Sequence, residues 1–312
     1  MSGSPVIVVA GPTAGGKSAL ALAIAETFSG TVINADSMQL YRGLGILTAQ
    51  PDAAAMARVP HLLYGVLEPD DPASAGRWRA MALEAIADAR AHKRVPILVG
   101  GTGLYLRALM QGIAPVPPIP PEMRAEARAL HARLGGPAFR AALAERDPRT
   151  AARLAPGDTQ RLLRAFEVVT ATGRTLAEWQ AAAPAAPADL RFLTLLVMPP
   201  REALHESIDA RFLRMIEAGA LAEARALHAR NLDRSLPAMK ALGLPALLRH
   251  LEGALDLAAA VLLAQQSTRQ YAKRQATWFR HQLVPDYRLD AQFSERILPE
   301  IFAIIRQFLL TG

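Results

Sequence analysis

Eight residues near the amino terminus, Gly11-Pro12-Thr13-Ala14-Gly15-Gly16-Lys17-Ser18, have the types and spacing of an anion cradle. Glycines let successive backbone N–H groups turn inward around one anion, and a helix opening behind them adds positive potential. In the pattern G-x-x-x-x-G-K-S the lysine, here Lys17, reaches the outer phosphate. The hydroxyl after it, Ser18, can ligate Mg²⁺. The implied chemistry is the gripping of a diphosphate or triphosphate. The same loop serves ATP- and other nucleotide-binding proteins, so alone it leaves open which anion is held and what is done to it.

Three further groups carry chemistry-bearing residues. The first is Asp36-Ser37-Met38-Gln39-Leu40-Tyr41-Arg42-Gly43. Its carboxylate, Asp36, is suited to act as a general base, as a Mg²⁺ contact through water, or as a helix N-cap. The second is Gly100-Gly101-Thr102-Gly103-Leu104-Tyr105. Three glycines around one threonine suggest close approach of backbone to a ligand, or a tight turn opening a helix. The third is Thr268-Arg269-Gln270-Tyr271-Ala272-Lys273-Arg274-Gln275-Ala276-Thr277-Trp278-Phe279-Arg280. Arg269, Lys273 and Arg280 form one basic stripe there, a feature that can meet a phosphate backbone. Tyr271, Trp278 and Phe279 read as core anchors. A fourth stretch, Gln160-Arg161-Leu162-Leu163-Arg164-Ala165-Phe166-Glu167, puts Gln160, Arg164 and Glu167 on neighbouring turns of a helix, where mixed charge usually means a solvated face.

The elements that must position these groups follow from periodicity. Residues 5–10, 30–35, 95–100 and 192–198 are short β-branched or Leu-rich runs that predict buried strands. Helices are expected over 17–28 and 77–92. The alternation predicts a parallel sheet flanked by helices, of the phosphate-loop NTPase type. On such sheets ligands sit at the carboxyl ends of strands, and the first three strands end at Gly11, Asp36 and Gly101. A proline run (Pro115, Pro117, Pro118, Pro120, Pro121) breaks the pattern and reads as a hinge into an inserted small helical domain. Helices are expected there over 122–134, 137–145 and 158–172, the last capped by Asp158, with turns at Gly135-Gly136 and Asp147-Pro148. An Ala/Pro-rich linker, 181–188, closes the insert. The expected organisation is a core of 1–115 and 191–312 with an inserted domain of 116–190. Beyond the fourth strand, helices are expected over 201–217, 220–230, 237–251 and 257–282.

Composition narrows the function classes. The 312 residues contain no cysteine, which excludes disulfides, thiol catalysis and a cysteine-based zinc site. No signal peptide or membrane span is expected, which favours a cytoplasmic protein. The net charge of +7 favours an anionic partner such as nucleic acid, although an Arg- and Ala-rich coding bias produces the same balance. The position of the charge is more telling: no Asp or Glu occurs from Leu257 to Pro285, where the basic stripe lies.

With these residues in hand, the chain resembles the bacterial tRNA dimethylallyltransferases, also called tRNA isopentenyltransferases. The resemblance runs nearly end to end, through the phosphate loop, the Asp36–Gly43 and Gly100–Tyr105 stretches, Gln160–Ala165, Thr175-Leu176-Ala177-Glu178-Trp179 and Thr268–Gln275. It implies transfer of a five-carbon prenyl group from dimethylallyl diphosphate to N6 of the adenosine just 3′ of the anticodon. The tRNAs implied are those reading codons that begin with U. It implies Asp36 as general base, Lys17 and Thr102 as catalytic partners, and Gly11 to Ser18 with Arg211 as the diphosphate site. It implies Mg²⁺ near Ser18. The tRNA anticodon stem-loop is expected on Asp36, Ser37, Met38, Gln39, Thr102, Arg124, Gln160, Arg161, Leu162, Leu163 and Arg164, with Arg269 and Lys273 from the basic stripe. A monomer is expected.

The chain departs from the family pattern at four places. Gln50 stands where a lysine is usual, Ser207 where an arginine is common, Leu244 for a tyrosine, and Gly15 for a serine. Two rival readings share parts of the pattern. A small-metabolite kinase shares the phosphate loop but gives the basic stripe no role. A non-catalytic RNA-binding protein would not need an intact Lys17 and Ser18.

Overall fold

The computed structural model describes residues 3–182, 187 and 189–311. Residues 183–186 and 188 of the expected linker lie outside them. The chain divides into two compact units, residues 1–110 with 187–312, and residues 111–186.

The first unit is built on a six-stranded sheet in the order β3-β2-β4-β1-β5-β6, parallel throughout. The strands are β1 (Ser4–Ala10), β2 (Gly30–Asn34), β3 (His61–Leu62), β4 (Val95–Gly100), β5 (Leu190–Val197) and β6 (Tyr287–Leu289). β1 lies at the centre, with Ile7 to Ala10 opposite Ile97 to Gly100 of β4 and Ser4 to Ala10 opposite Leu190 to Leu196 of β5. Both faces are covered, as an all-parallel sheet requires. Side chains alternate along each strand, so Val6, Val8 and Ala10 enter one core while Ile7 and Val9 enter the other. The first core receives α3 (Ala75–Ala91), α4 (Gly103–Gln111), α9 (Arg201–Glu217), α10 (Ala220–Ala229), α11 (Leu244–Leu251) and α12 (Leu257–Gln282). The second receives α1 (Lys17–Thr27) and α13 (Leu298–Leu310). Each fully buried Leu, Ile or Val contributes roughly 1.5–3 kcal/mol by leaving water.

The sheet and its flanking helices match the sequence expectation of a phosphate-loop architecture. Several elements differ in detail. The strands β3 and β6 and the helix α2 (Ala53–Arg58) are too short to carry a strong pattern and were not expected; α13 was not expected either, although its apolar residues recur at helical spacing. The expected helix over 237–251 is instead a 3₁₀ turn (Ala238–Lys240) and then α11. Gly243 breaks it with φ 86°, and the Phe212 ring would lie 2.5 Å from any Cβ placed there.

The second unit is helical: α5 (Pro121–Ala144), α6 (Pro148–Arg153), α7 (Thr159–Thr172) and α8 (Leu176–Ala181). Residues 112–120, the proline run, form neither helix nor strand. α5 is bent where a turn was expected, at Gly135, whose φ of 73° is outside the helical region. The expected turn at Asp147-Pro148 is the start of α6: Asp147 accepts from the Thr150 N–H at 3.0 Å. Asp158 occupies the cap position of α7 but makes no capping hydrogen bond; it pairs with Arg161 at 3.3 Å instead. Phe139, Leu143, Leu162, Ala165 and Phe166 form this unit's own core.

Candidate active site

The phosphate loop leaves the centre of the sheet between β1 and α1. Gly16, φ 89°, turns the chain into α1, and a Cβ there would sit 2.7 Å from Cβ of Phe293. Lys17 folds over the loop and donates from Nζ to the Pro12 carbonyl at 2.7 Å. Burial pushes the Lys17 ammonium down to about 8, the Asp36 charge opposes that fall, and Arg211 adds to it. Arg211, on α9 beyond β5, donates from Nη2 to the Thr13 hydroxyl at 2.7 Å. Burial pushes its guanidinium below the ordinary arginine value, with Asp36 opposing. Lys17, Arg211 and Asp36 therefore lie within electrostatic reach of one another.

Asp36 follows β2 at the next strand end but one from the loop. No helix begins there: the chain runs from β2 through turns until α2, so helix capping is not its role. Its Oδ1 accepts the Met38 N–H at 3.0 Å, closing a local turn. Asn34, fully buried at the end of β2, fixes the backbone around it. The Asn34 Oδ1 accepts the Asp36 N–H at 2.7 Å, and its Nδ2 donates to the carbonyls of Asp36 and Leu63 at 2.9 and 3.0 Å. The Trp78 indole N–H holds the Asn34 carbonyl at 2.8 Å. Thr102 stands opposite: its hydroxyl accepts the Ser37 N–H at 3.0 Å. Burial, and then the Asp36 charge, push the hydroxyls of Tyr64 and Tyr271 above the usual tyrosine range.

The phosphate loop from Thr13 to Ser18, with Asp36, Gln39 and Arg211, lines one cavity of about 350 Å³. Ser207, Arg214 and Gln292 complete the wall. Arg214 could have been found from sequence, since it is three residues from Arg211 and shares its helix face. Gln292 could not; β6 brings its loop to the site, where its Nε2 donates to the Ala14 carbonyl at 3.1 Å. The loop 44–50 supplies Thr48 and Ala49. Glu223 of α10 holds that loop by accepting the N–H groups of Ile46 and Leu47 at 2.8 and 2.9 Å. The amide of Gln39 donates to the carbonyls of Thr48 and Ala49. Gln50 likewise turns inward, donating to the Tyr41 carbonyl at 2.9 Å. The short neutral Ser207 leaves Arg211 and Arg214 as the arginines on this wall. Leu244 is fully buried at the start of α11.

Of the glycines around Thr102, Gly100 lines the cavity and Gly103 opens α4, the helix-opening turn that the sequence offered as an alternative; all three also sit where a side chain would not fit. A Cβ on Gly100 would lie 2.1 Å from the backbone of Ala35. One on Gly101 would lie 2.2 Å from Nε2 of Gln275, and one on Gly103 would strike the Trp278 ring at 2.2–2.6 Å. They make room for β2 and for α12. Phe279 is a core anchor as expected, and Trp278 packs edge-on against it.

The basic stripe lies on α12. Arg269, Lys273 and Arg280, joined by Arg201 and His205 of α9, line a second cavity of about 440 Å³. Lys273 is exposed. Arg269 pairs with Asp209 at 2.5 Å, so part of its charge is already answered. In the helical unit, Gln160 and Arg161 are exposed, and Arg164 lies 3.9 Å from Glu167 with Arg124 near enough to act on both. Leu162 is placed differently from its neighbours in the expected RNA-contacting stretch. It is fully buried in that unit's core, because the amphipathic face of α7 turns it inward, so its side chain contributes packing and no surface.

Ser18 and Asp36 offer one hydroxyl and one carboxylate on the same cavity wall. Among the described residues no group of three or more His, Cys, Asp or Glu could hold a metal ion. That sparse oxygen set fits Mg²⁺, which binds few protein ligands and takes the rest from phosphate and water.

Fold and site together define a phosphate-loop α/β protein whose anion cradle faces a carboxylate across the strand ends. Residues 39–282 match the model of the IPP transferase family. A protein of Rhodospirillum centenum named tRNA dimethylallyltransferase is 62% identical over 92% of this chain and 91% of its own. The crystal structure of the full-length tRNA isopentenylpyrophosphate transferase from Bacillus halodurans superposes with a TM-score of 0.71 at 30% identity, covering 99% of this chain and 98% of that one. A eukaryotic dimethylallyltransferase acting on tRNA superposes with a TM-score of 0.85 at 27% identity, covering 99% of this chain and 80% of that one. The chain belongs to the IPP transferase family.

Proposed function

We propose that the protein transfers a dimethylallyl group from dimethylallyl diphosphate to N6 of the adenosine 3′-adjacent to the anticodon. The tRNAs are those reading codons that begin with U, and diphosphate is released. The observation that carries this reading is the single cavity shared by the phosphate loop, Arg211 and Asp36. An anion cradle and a base facing one another are what the substitution needs.

The C1–O bond of the prenyl diphosphate breaks while a bond forms between C1 and N6. The adenine amine is a weak nucleophile because its lone pair is delocalised, so a positioned base must take the proton; Asp36 is that base. The diphosphate gains charge as it leaves. Lys17, Arg211, the Thr13 hydroxyl and the loop N–H groups stabilise that charge. Mg²⁺ held by Ser18, when bound, would supply further charge neutralisation. Thr102, through its bond to the Ser37 N–H, shapes the acceptor side beside Asp36. The adenosine must leave its stack to enter, at a cost of a few kcal/mol that is lower in a loop than in a duplex.

For the RNA we assign contacts on each unit separately: Arg269 and Lys273 of α12 and the Asp36 to Gln39 turn on the first, and Arg124, Gln160, Arg161 and Arg164 on the helical one. Lys273 and Arg280 are exposed cations on a face free of carboxylates along α12. No helix among the described residues is long and apolar enough to cross a membrane. A cytoplasmic monomer is the form we expect to act. The test is transfer of label from dimethylallyl diphosphate to unmodified tRNA with Mg²⁺, beside a tube in which ATP replaces the prenyl donor. Label on tRNA with the prenyl donor alone supports the reading; ATP turnover without tRNA labelling overturns it.

A further inference from the structure

Gln275 lies in the middle of α12 and is 5% exposed. Its Oε1 accepts the Thr13 N–H at 2.8 Å, and its Nε2 donates to the Gly101 carbonyl at 2.9 Å. One amide thus spans the phosphate loop, which follows β1, and the end of the neighbouring strand β4. Each end leads to the reacting groups. Thr13 receives Arg211 on its hydroxyl, and Gly101 precedes Thr102, which holds the Ser37 N–H. The absence of a side chain at Gly101 is what admits the amide, since a Cβ there would lie 2.2 Å from Nε2.

We propose that Gln275 is a positioning residue that sets the spacing between the group handling the leaving diphosphate and the group handling the acceptor. The residue type is specific to the task. An amide donates at one end and accepts at the other; a carboxylate cannot donate, an ammonium cannot accept, and a short hydroxyl side chain cannot span both partners. Both partners are backbone groups at the site, so the clamp fixes main chain and uses neither threonine hydroxyl. A displacement of about 1 Å at such a point is enough to cost on the order of a hundredfold in rate. The helix that carries the clamp inward carries Lys273 and Arg280 outward, so the same rigid element spans the reacting centre and the basic surface. This inference rests on the prenyl transfer proposed above.

The test compares the wild-type chain with Gln275→Met, which keeps the volume and removes both bonds, and Gln275→Glu, which keeps the acceptor and loses the donor. Thermal melting is followed together with steady-state transfer, tRNA affinity by filter binding, and pH profiles from 5.5 to 8.5. Gln275→Met is expected to lower kcat/KM for the prenyl diphosphate by about tenfold to a hundredfold, with tRNA affinity changed by less than about twofold. Gln275→Glu is expected to recover relative to wild type as pH falls, because a protonated carboxyl donates to Gly101 while still accepting from Thr13. Asp36, Lys17, Arg211 and Tyr271 face the same region, and Tyr271 hydrogen-bonds Gln275 directly, so the Gln275→Glu profile is read against Gln275→Met, which has the same neighbours and no titratable group at 275. Wild-type kinetics in both variants would overturn the proposal. So would a loss confined to tRNA affinity, or a Gln275→Glu ratio that stays low and flat with pH. If Gln275→Met melts near the assay temperature, the acid limb of Gln275→Glu makes the same comparison. If the wild-type chain transfers no prenyl group, the reaction itself is wrong. The clamp is then judged by inorganic diphosphate binding, which Gln275→Met should weaken and which unchanged binding would refute.

Discussion

Arg211 and Thr13, 198 residues apart, meet in a 2.7 Å hydrogen bond from the guanidinium to the hydroxyl. The bond exists because β1 and β5 are parallel neighbours, so the phosphate loop after one strand lies beside the helix after the other. Arg211→Gln keeps a donor but removes the charge. It is expected to reduce kcat by about a hundredfold while tRNA affinity is unchanged, the size of effect seen when one donor to a developing oxyanion is removed. Single-turnover transfer and filter binding measure the two quantities separately.

Asp36→Asn should leave the cavity intact and remove the base. The expected loss in kcat is about 10²- to 10⁴-fold. Affinity for the prenyl diphosphate should hold or tighten, because a negative charge facing the anion has gone. Calorimetric titration that showed weakened diphosphate binding alongside full turnover would assign Asp36 to anion binding instead.

Lys17 makes donor binding depend on pH. Burial lowers it to about 8, so the free protein carries the ammonium below that pH and loses it above. The anion is attracted only by the charged form. Affinity for dimethylallyl diphosphate should therefore be level near pH 7.5 and fall as pH rises through 8 to 9.5. Lys17→Arg keeps its charge throughout that range and should show a flat profile, whatever its absolute affinity.

Gly103→Ala drives a methyl group into the Trp278 ring. Overpacking of this kind costs typically 1–3 kcal/mol. Scanning calorimetry should show a melting temperature lower by several degrees, and a variant as stable as the wild type would mean that α12 shifts freely against the start of α4.

On α12, Lys273 and Arg269 should behave differently despite their shared stripe. Lys273 is exposed, whereas Arg269 is paired with Asp209. Lys273→Ala is expected to weaken tRNA binding and to reduce the slope of log affinity against log salt by about one counterion. Arg269→Ala should change that slope less. Titrations at several salt concentrations distinguish them.

Much of this site was legible in the chain before it folded. The phosphate loop is local: eight consecutive residues supply their own glycines, lysine and hydroxyl, and the strand before and helix after are short periodic runs. Asp36 and Thr102 were found for the same reason, since each ends a strand that announces itself by composition. Residue type alone did not show surroundings. The glycines around Thr102 read as close approach to a ligand or as a turn opening a helix; Gly100 lines the cavity, Gly103 opens α4, and the three make room for β2 and α12. Leu162 read as part of an RNA-facing stretch and is the core of the helical unit. Gln39 was expected on the RNA and Gln50 stands where a lysine is usual; both spend their amides on the backbone of neighbouring loops.

The sequence by itself determined the groups that do chemistry and the sheet that carries them. Strand periodicity, turn glycines and the phosphate loop are short-range properties, written within a few residues. Only the tertiary structure decided how those groups are spaced. Thr13 and Gln275 are 262 positions apart, and no local signal encodes that the two will share a hydrogen bond. That contact arises because a parallel sheet brings its strand ends to one edge and a buried helix packs across them. A buried polar group must then find a partner in whatever the fold has placed there.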